Sequence, residues 1–169
     1  MKNLLLATMV LLLSAGAAQA QKYAVIDSEY ILHKMPKYRS AQEQVERFTA
    51  MYQKEVDDAY KKVDEMFRTF QAEKMLLTDE MKQKREAEIL AKEKEAKDLQ
   101  RKHFGPDGSL FKKREELMKP IQDQLYNAIK DVATEGGYAV IFDSANNPSL
   151  IYINARYDKS DDVLKRLGF

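Results

Sequence analysis

Between residues 38 and 70 the apolar residues recur at Tyr38, Ala41, Val45, Phe48, Tyr52, Val56, Ala59, Val63, Met66 and Phe70. The steps alternate between three and four residues, with two consecutive fours between Phe48 and Val56. This spacing keeps one stripe of a helix turned toward a partner and predicts a coiled-coil seam with a single stutter. No Gly or Pro occurs between Lys37 and Arg101, so no breaker residue interrupts the run. The chain must still reverse. Leu76-Leu77-Thr78-Asp79-Glu80 supplies the signal, with Thr78 as the expected N-cap and two carboxylates at the positive end of a new helix.

The segment after Thr78 is far more polar. From Asp79 to His103, 15 of 25 residues are charged, eight basic and seven acidic. Pairs such as Glu88-Lys92 and Glu93-Lys97 sit at i, i+4 spacing and predict a solvated helix, each pair contributing only about 0.2–0.5 kcal/mol. A helix this polar builds no core and needs the outgoing arm as its partner. That outgoing arm, Lys37 to Leu77, would extend roughly 60 Å at about 1.5 Å per residue. Phe104-Gly105-Pro106-Asp107-Gly108 breaks the return arm, and Ser109 is expected to recap it. The seam then resumes at Leu110, Leu117, Ile121, Leu125, Ile129 and Val132, with Arg114 in one core-like slot, until Gly136-Gly137 ends it.

The two ends of the chain have a different period. Lys22–Asp27 and Tyr138–Phe142 are short β-branched runs that read as buried strands, and both contain Tyr-Ala-Val-Ile. Leu150–Ile153 reads as a third strand after a turn at Asn146-Asn147-Pro148. Ser28 is expected to cap a short helix that Pro36 ends or kinks, and Ser160-Asp161-Asp162 to cap a last helix ending at Gly168. Strands separated by more than a hundred helical residues must meet to satisfy their backbone groups. The fold class is therefore α+β: a long antiparallel helical coiled-coil hairpin projecting from a small β-strand body. The body comprises residues 21–36 and 121–169 and the arm residues 37–120, with its tip near 75–81, all within one domain spanning 21–169. Three short strands make a poor independent sheet, so pooled strands from several subunits, and hence a homo-oligomer, are expected.

Residues 1–20 have the form of a secretory signal: Lys2, an apolar run from Leu4 to Leu13, and Ala18-Gln19-Ala20. Cleavage is expected between Ala20 and Gln21, because the apolar run is too short to span a bilayer. The remaining chain carries 27 acidic side chains and, once Lys2 is subtracted from 28, 27 basic ones. This balance gives no footprint for nucleic acid. Cysteine is absent, which excludes disulfides, thiol nucleophiles and thiolate metal sites. His33 and His103 stand in no catalytic or metal-binding motif, and no Gly-rich phosphate loop follows a strand. The reading is a non-enzyme with no cofactor and no metal, with His103 a helix-end residue.

The order of signal, strand, short helix, charged hairpin, two strands and capped terminal helix resembles the Skp/OmpH family of periplasmic chaperones. The most specific pieces are Lys22–Pro36 (KYAVIDSEYILHKMP), Phe104–Gln122 (FGPDGSLFKKREELMKPIQ) and Gly137–Gly168. The resemblance covers essentially the whole chain after the signal. It implies a soluble periplasmic trimer with a small barrel-like body, whose hairpins hang as tentacles around a cavity. It also implies an ATP-independent holdase that binds unfolded outer-membrane proteins and prevents their aggregation in transit. This chain departs from the basic family pattern in its balanced charge and in the Gly105–Gly108 break.

Such work needs adaptable apolar surface surrounded by charge. Met and aromatic residues supply it, through a flexible polarizable thioether and large rings. Tyr52, Met66 and Phe70 belong to the seam. The candidate client-binding residues lie off the seam or near the tip: Tyr60, Phe67, Met75, Leu76, Leu77 and Met81. Lys74, Lys82, Lys84 and Arg85 make a basic tip suited to steering acidic client segments or to weak contact with a membrane surface. The competing readings are a structural coiled-coil spacer of the envelope and a peripheral membrane or lipopolysaccharide binder.

Overall fold

The structure is a computed structural model, and it describes residues 21–169 except Asn146. The candidate signal and the residue on its cleavage side, Ala20, lie outside the described residues, and Gln21 is the first described and is exposed. In order the elements are β1 (Lys22–Ile26), α1 (Ser28–Lys34), α2 (Pro36–Glu73), a 3-10 turn (Lys74–Leu76), α3 (Asp79–Phe104), α4 (Ser109–Gly136), β2 (Tyr138–Asp143), a second 3-10 turn (Ala155–Tyr157) and α5 (Ser160–Leu167). The architecture is α+β, mostly long helices with one two-stranded sheet. The chain divides into two compact units, one of the residues up to Lys34 with Gln124–Phe169, the other of Met35–Asp123.

In the first unit β1 and β2 pair in parallel, with Tyr23 opposite Val140 and Ile26 opposite Asp143. The two Tyr-Ala-Val-Ile stretches thus pair two residues out of register, which preserves the alternation of faces. Ala24, Val25 and Ile26 are all buried, as expected of a strand covered on both faces. β1 is also flanked on both edges. The Ser144 N–H donates to the Ile26 carbonyl at 2.8 Å, and the Lys159 N–H to the Val25 carbonyl at 2.8 Å. The core gathers Ile26, Ile31, Leu125, Ala128, Val132, Val163 and Leu164. The Asp27 N–H donates to Ser160 Oγ at 2.8 Å and so ties the end of β1 to α5.

Four expectations for this unit are corrected. β2 is not a buried strand, since none of its residues is buried and Val140 and Phe142 are 47% and 43% exposed. Leu150–Ile153 is not a strand. Both edges of β1 are occupied and the segment does not pair with the remaining edge of β2; Ile151 and Tyr152 are 95% and 82% exposed. The cap of α1 is Asp27, whose Oδ1 accepts the Tyr30 N–H at 2.8 Å, while the Ser28 hydroxyl instead donates to Asp143. Ser160 is likewise not the cap of α5: it is the first helical residue, the N-cap position falls on Lys159 with no side-chain cap, and Asp158, one residue earlier, accepts the Ser160 N–H on Oδ1 at 2.9 Å. At α1 the earlier carboxylate takes the free N–H that Ser28 was expected to hold, and at α5 the Ser160 hydroxyl itself donates to Asp158.

The second unit is built on α2 and α3. Pro36 occupies the first turn of α2, where it forfeits no helical hydrogen bond, and the helix then runs 38 residues, about 57 Å. All ten seam residues are buried or half-buried. Antiparallel pairing is recorded by side chains that step in opposite directions: Glu73 with Arg85, Tyr60 with Gln100, Glu55 with His103. Each pair is centred near Thr78-Asp79, where the chain reverses. Thr78 caps α3 as expected, its Oγ1 accepting the Met81 N–H at 3.3 Å. The Gly105–Gly108 break shifts this register by only a few residues, since Lys113 of α4 lies over the Phe48 ring at 5.2 Å. Both glycines are needed there, because a Cβ would stand 2.4 Å from the Arg101 carbonyl oxygen at Gly105 and 2.6 Å from that of His103 at Gly108. Ser109 does not cap α4; its hydroxyl donates back to the Lys102 carbonyl at 3.3 Å.

Candidate functional site

The reversal between α2 and α3 is assembled from a short sequence. After Glu73 the helix tightens into the Lys74–Leu76 3-10 turn, Leu77 adopts an extended backbone (φ −89°, ψ 143°), and Thr78 opens α3. Tightening the last turn rotates Met75 and Leu76 away from the seam, and they stand 92% and 86% exposed. Phe67, about two turns earlier in α2, and Met81, in the first turn of α3, are half exposed, and Leu77 is partly covered. Exposed apolar side chains at the end of a charged hairpin are unfavourable in water and single this turn out as a candidate contact surface.

Tyr60 is placed differently from the rest. It is half-buried, and its hydroxyl donates to Gln100 Oε1 at 3.1 Å, making it a strut between α2 and α3. The basic residues are interleaved with acids: Lys82 pairs with Asp79 at 3.0 Å, and Arg85 lies 3.8 Å from Glu73 and 3.9 Å from Glu88. Lys74 stands over the Phe70 ring at 5.4 Å, and Lys84 is exposed. Exposed pairs of this sort are worth about 0–1 kcal/mol each, so they orient the side chains more than they stabilise the turn.

Between α2 and α3 runs an open groove of about 870 Å³ with Ala59, Met66, Ala96 and Leu99 on its floor and Glu55, Lys62, Arg85 and Lys92 along its margins. Small side chains from both helices, Ala59 and Ala96, line it. Two further features escaped the sequence pattern. His103 is only 4% exposed, stacks on Tyr52 with ring centroids 4.2 Å apart, and brings Nε2 within 2.9 Å of Glu55 Oε2. Its Nδ1 is buried with no hydrogen-bond partner among the described residues. His103 does end a helix, but it also anchors α3 to α2. The only sequence signal was its seven-residue offset from Ala96, the other buried residue of α3.

The second feature is an apolar face on the first unit: Tyr23, Val140 and Phe142 are substantially exposed, as are Ile151 and Tyr152. Nearby, Asp161 accepts the Tyr30 hydroxyl at 3.2 Å and holds that phenol above its ordinary range. Elsewhere, hydrogen bonding raises Lys54 and lowers its partner Asp58, and Glu93 raises Lys97 in the same way. These are solvated surface pairs and mark no catalytic centre. Among the described residues no cluster of three or more His, Cys, Asp or Glu is arranged to hold a metal, and no helix is long and apolar enough to cross a membrane.

Residues 22–167, from β1 into α5, match the family described as outer membrane protein (OmpH-like). The chain belongs to the OmpH-like family. A crystal structure of an OmpH-like protein from Caulobacter crescentus CB15, assigned as an outer membrane chaperone, shares the fold with a TM-score of 0.69 at 12% identity, over 89% of this chain and 86% of that one. No curated protein sequence matches this OmpH-like chain. The family match spans both units, so the sheet, the reversal at Thr78 and the Gly105–Gly108 break all lie inside it.

Proposed function

We propose that this OmpH-like protein is an ATP-independent periplasmic holdase, exported by residues 1–20, that binds unfolded outer-membrane β-barrel proteins and keeps them from aggregating. The observation that carries the reading is the exposed Met75-Leu76 pair on the 3-10 turn, with Phe67 of α2 and Met81 of α3 each half exposed. Family membership supports the same reading, and the Caulobacter protein is itself assigned as a chaperone. Covering such a side chain is worth roughly 1.5–3 kcal/mol when complete and less when partial, so single contacts are weak. Several tips acting on one client gain through effective concentration.

The test is light scattering by an unfolded β-barrel protein diluted out of denaturant. The wild-type chain at a stoichiometric ratio is expected to suppress most of the scattering. The double variant Met75→Glu, Leu76→Glu is expected to lose at least half of that protection with an unchanged circular dichroism spectrum. Undiminished aggregation at several-fold excess of wild type would sink the holdase reading. Full protection by the double variant would move the client surface away from the turn. If the wild type is inert toward clients but sediments with anionic vesicles in a salt-sensitive manner, the membrane-binding alternative wins.

The protein acts in this reading as a homo-oligomer, with three copies following from the family resemblance. Support comes from the two-stranded sheet, too small to be stable alone, and from the exposed Val140, Phe142, Ile151 and Tyr152 beside it. Ile151→Asp with Tyr152→Asp is expected to shift the mass from light scattering toward the monomer while leaving the α2–α3 pairing intact. An unchanged oligomer mass would place the interface elsewhere.

A further inference from the structure

We propose that Met75 is a reversible oxidation site whose sulfoxide weakens the grip of the turn on apolar segments; the second half of this inference rests on the tip reading above. The chain has no cysteine, so its thioethers are its softest nucleophiles. Their access is sharply graded. Met75 is 92% exposed, Met51 and Met81 are about half exposed, Met66 and Met118 are half-buried, and Met35 is 1% exposed.

Peroxide is the oxidant class. The sulfur lone pair attacks one peroxide oxygen, the O–O bond breaks, that oxygen stays on sulfur as S=O, and the other leaves as water after a proton transfer. The sulfur is oxidised by two electrons and the peroxide reduced by two. The product is a polar, chiral side chain in place of a flexible apolar one.

What makes the position distinctive is the consequence of that change. Met35 is fully buried and its carbonyl accepts the first free N–H groups of α2, from Tyr38 and Arg39, so oxidation there would damage the fold. Met75 sits in a three-residue turn held by backbone bonds and by the Thr78 cap. Its sulfoxide changes the surface offered to a client and leaves the helix pairing alone. Leu76 beside it remains apolar, so the modification attenuates capture without abolishing it. Methionine sulfoxide reductases reverse the change, and the turn is open enough to reach them.

The test uses the full chain after signal removal, treated with hydrogen peroxide and mapped by peptide mass spectrometry over time. Met75 is expected to oxidise first, at least roughly tenfold faster than Met35 and ahead of Met51 and Met81. Oxidised wild type is expected to need roughly two- to fivefold more protein for equal suppression of aggregation, an effect consistent with the loss of about 0.5–1 kcal/mol of apolar contact. Peroxide should leave the capture by Met75→Leu unchanged from that of its own untreated form, and Met75→Gln should be as insensitive to peroxide and lie on the weak side of Met75→Leu. If Met75 oxidises no faster than Met66 and Met118, the site assignment falls. If Met75→Leu loses capture on oxidation as wild type does, the functional half falls while the site stands. Failure of untreated wild type to capture any client overturns the tip reading and with it the functional half, and the mass map still decides the site.

Discussion

Ile31→Ala is expected to lower the stability of the strand-bearing unit by about 3 kcal/mol, within the range of roughly 2–5 kcal/mol for truncating a buried aliphatic side chain. Ile31 is completely buried and belongs to the cluster that joins β1, α1, the second half of α4 and α5. Truncation opens a cavity at the point where four elements meet, and a two-stranded parallel sheet has no cross-strand network with which to collapse into it. The amides of β1 should lose hydrogen-exchange protection first, because the Ser144 and Lys159 bonds to its carbonyls depend on the same packing. Ile31→Val, which removes one methyl group, should cost about 1 kcal/mol. Urea titration followed by far-ultraviolet circular dichroism measures both. A midpoint shift for Ile31→Ala no larger than that of Ile31→Val would mean that the site is not a tight core.

The second large effect is expected at His103. Replacement by alanine should remove about 2 kcal/mol from the α2–α3 pairing, by deleting a ring stacked on Tyr52 and packed edge-on to Phe104. His103→Phe should stay within about 1 kcal/mol of wild type, because it keeps the stack and removes the buried Nδ1 that lacks a partner. Glu55, the partner lost in both variants, is about half exposed and returns to water at little cost. Hydrogen exchange of the amides around residues 96–104 reads the difference. Equal losses in the two variants would transfer the weight from the aromatic stack to the Glu55 hydrogen bond. The same stack reaches Phe48 through Tyr52, and Lys113 lies over Phe48, so His103→Ala should also loosen the start of α4.

The two kinds of residue behind these predictions were unequally visible in the sequence. Ile31 lies in a short apolar run beside a strand, and its burial follows from that pattern. His103 looked like an ordinary helix-end residue, because its partners Tyr52 and Glu55 lie about fifty positions earlier in the chain. Likewise the candidate contact residues were chosen as those that miss the seam. That rule located Phe67, Met75, Leu76 and Met81 on exposed surface but also swept in Tyr60, which Gln100 draws between the helices.

What the sequence determined by itself are the features whose causes are local. The α2 seam follows from apolar spacing, the reversal at Thr78 from a capping hydroxyl followed by two acids, the break from Gly105 to Gly108, and the end of α4 from Gly137, whose φ of +65° suits only a residue without a side chain. Each is set by interactions within a few residues, so the string of letters contains both partners. Tertiary structure alone decided the rest. Leu150–Ile153 has the composition of a strand, but a strand exists only where the fold brings it to a partner edge; β1 spends both its edges on β2 with Ser144 and on Asp158 with Lys159, and the segment does not pair with the remaining edge of β2. Neither serine caps its helix: Asp27 caps α1 while Ser28 is drawn to Asp143, and Ser160 lies inside α5, tied to the end of β1 and to Asp158. Hydrogen-bond partners more than a hundred residues apart compete for the same hydroxyls, and only the folded chain brings those competitors together.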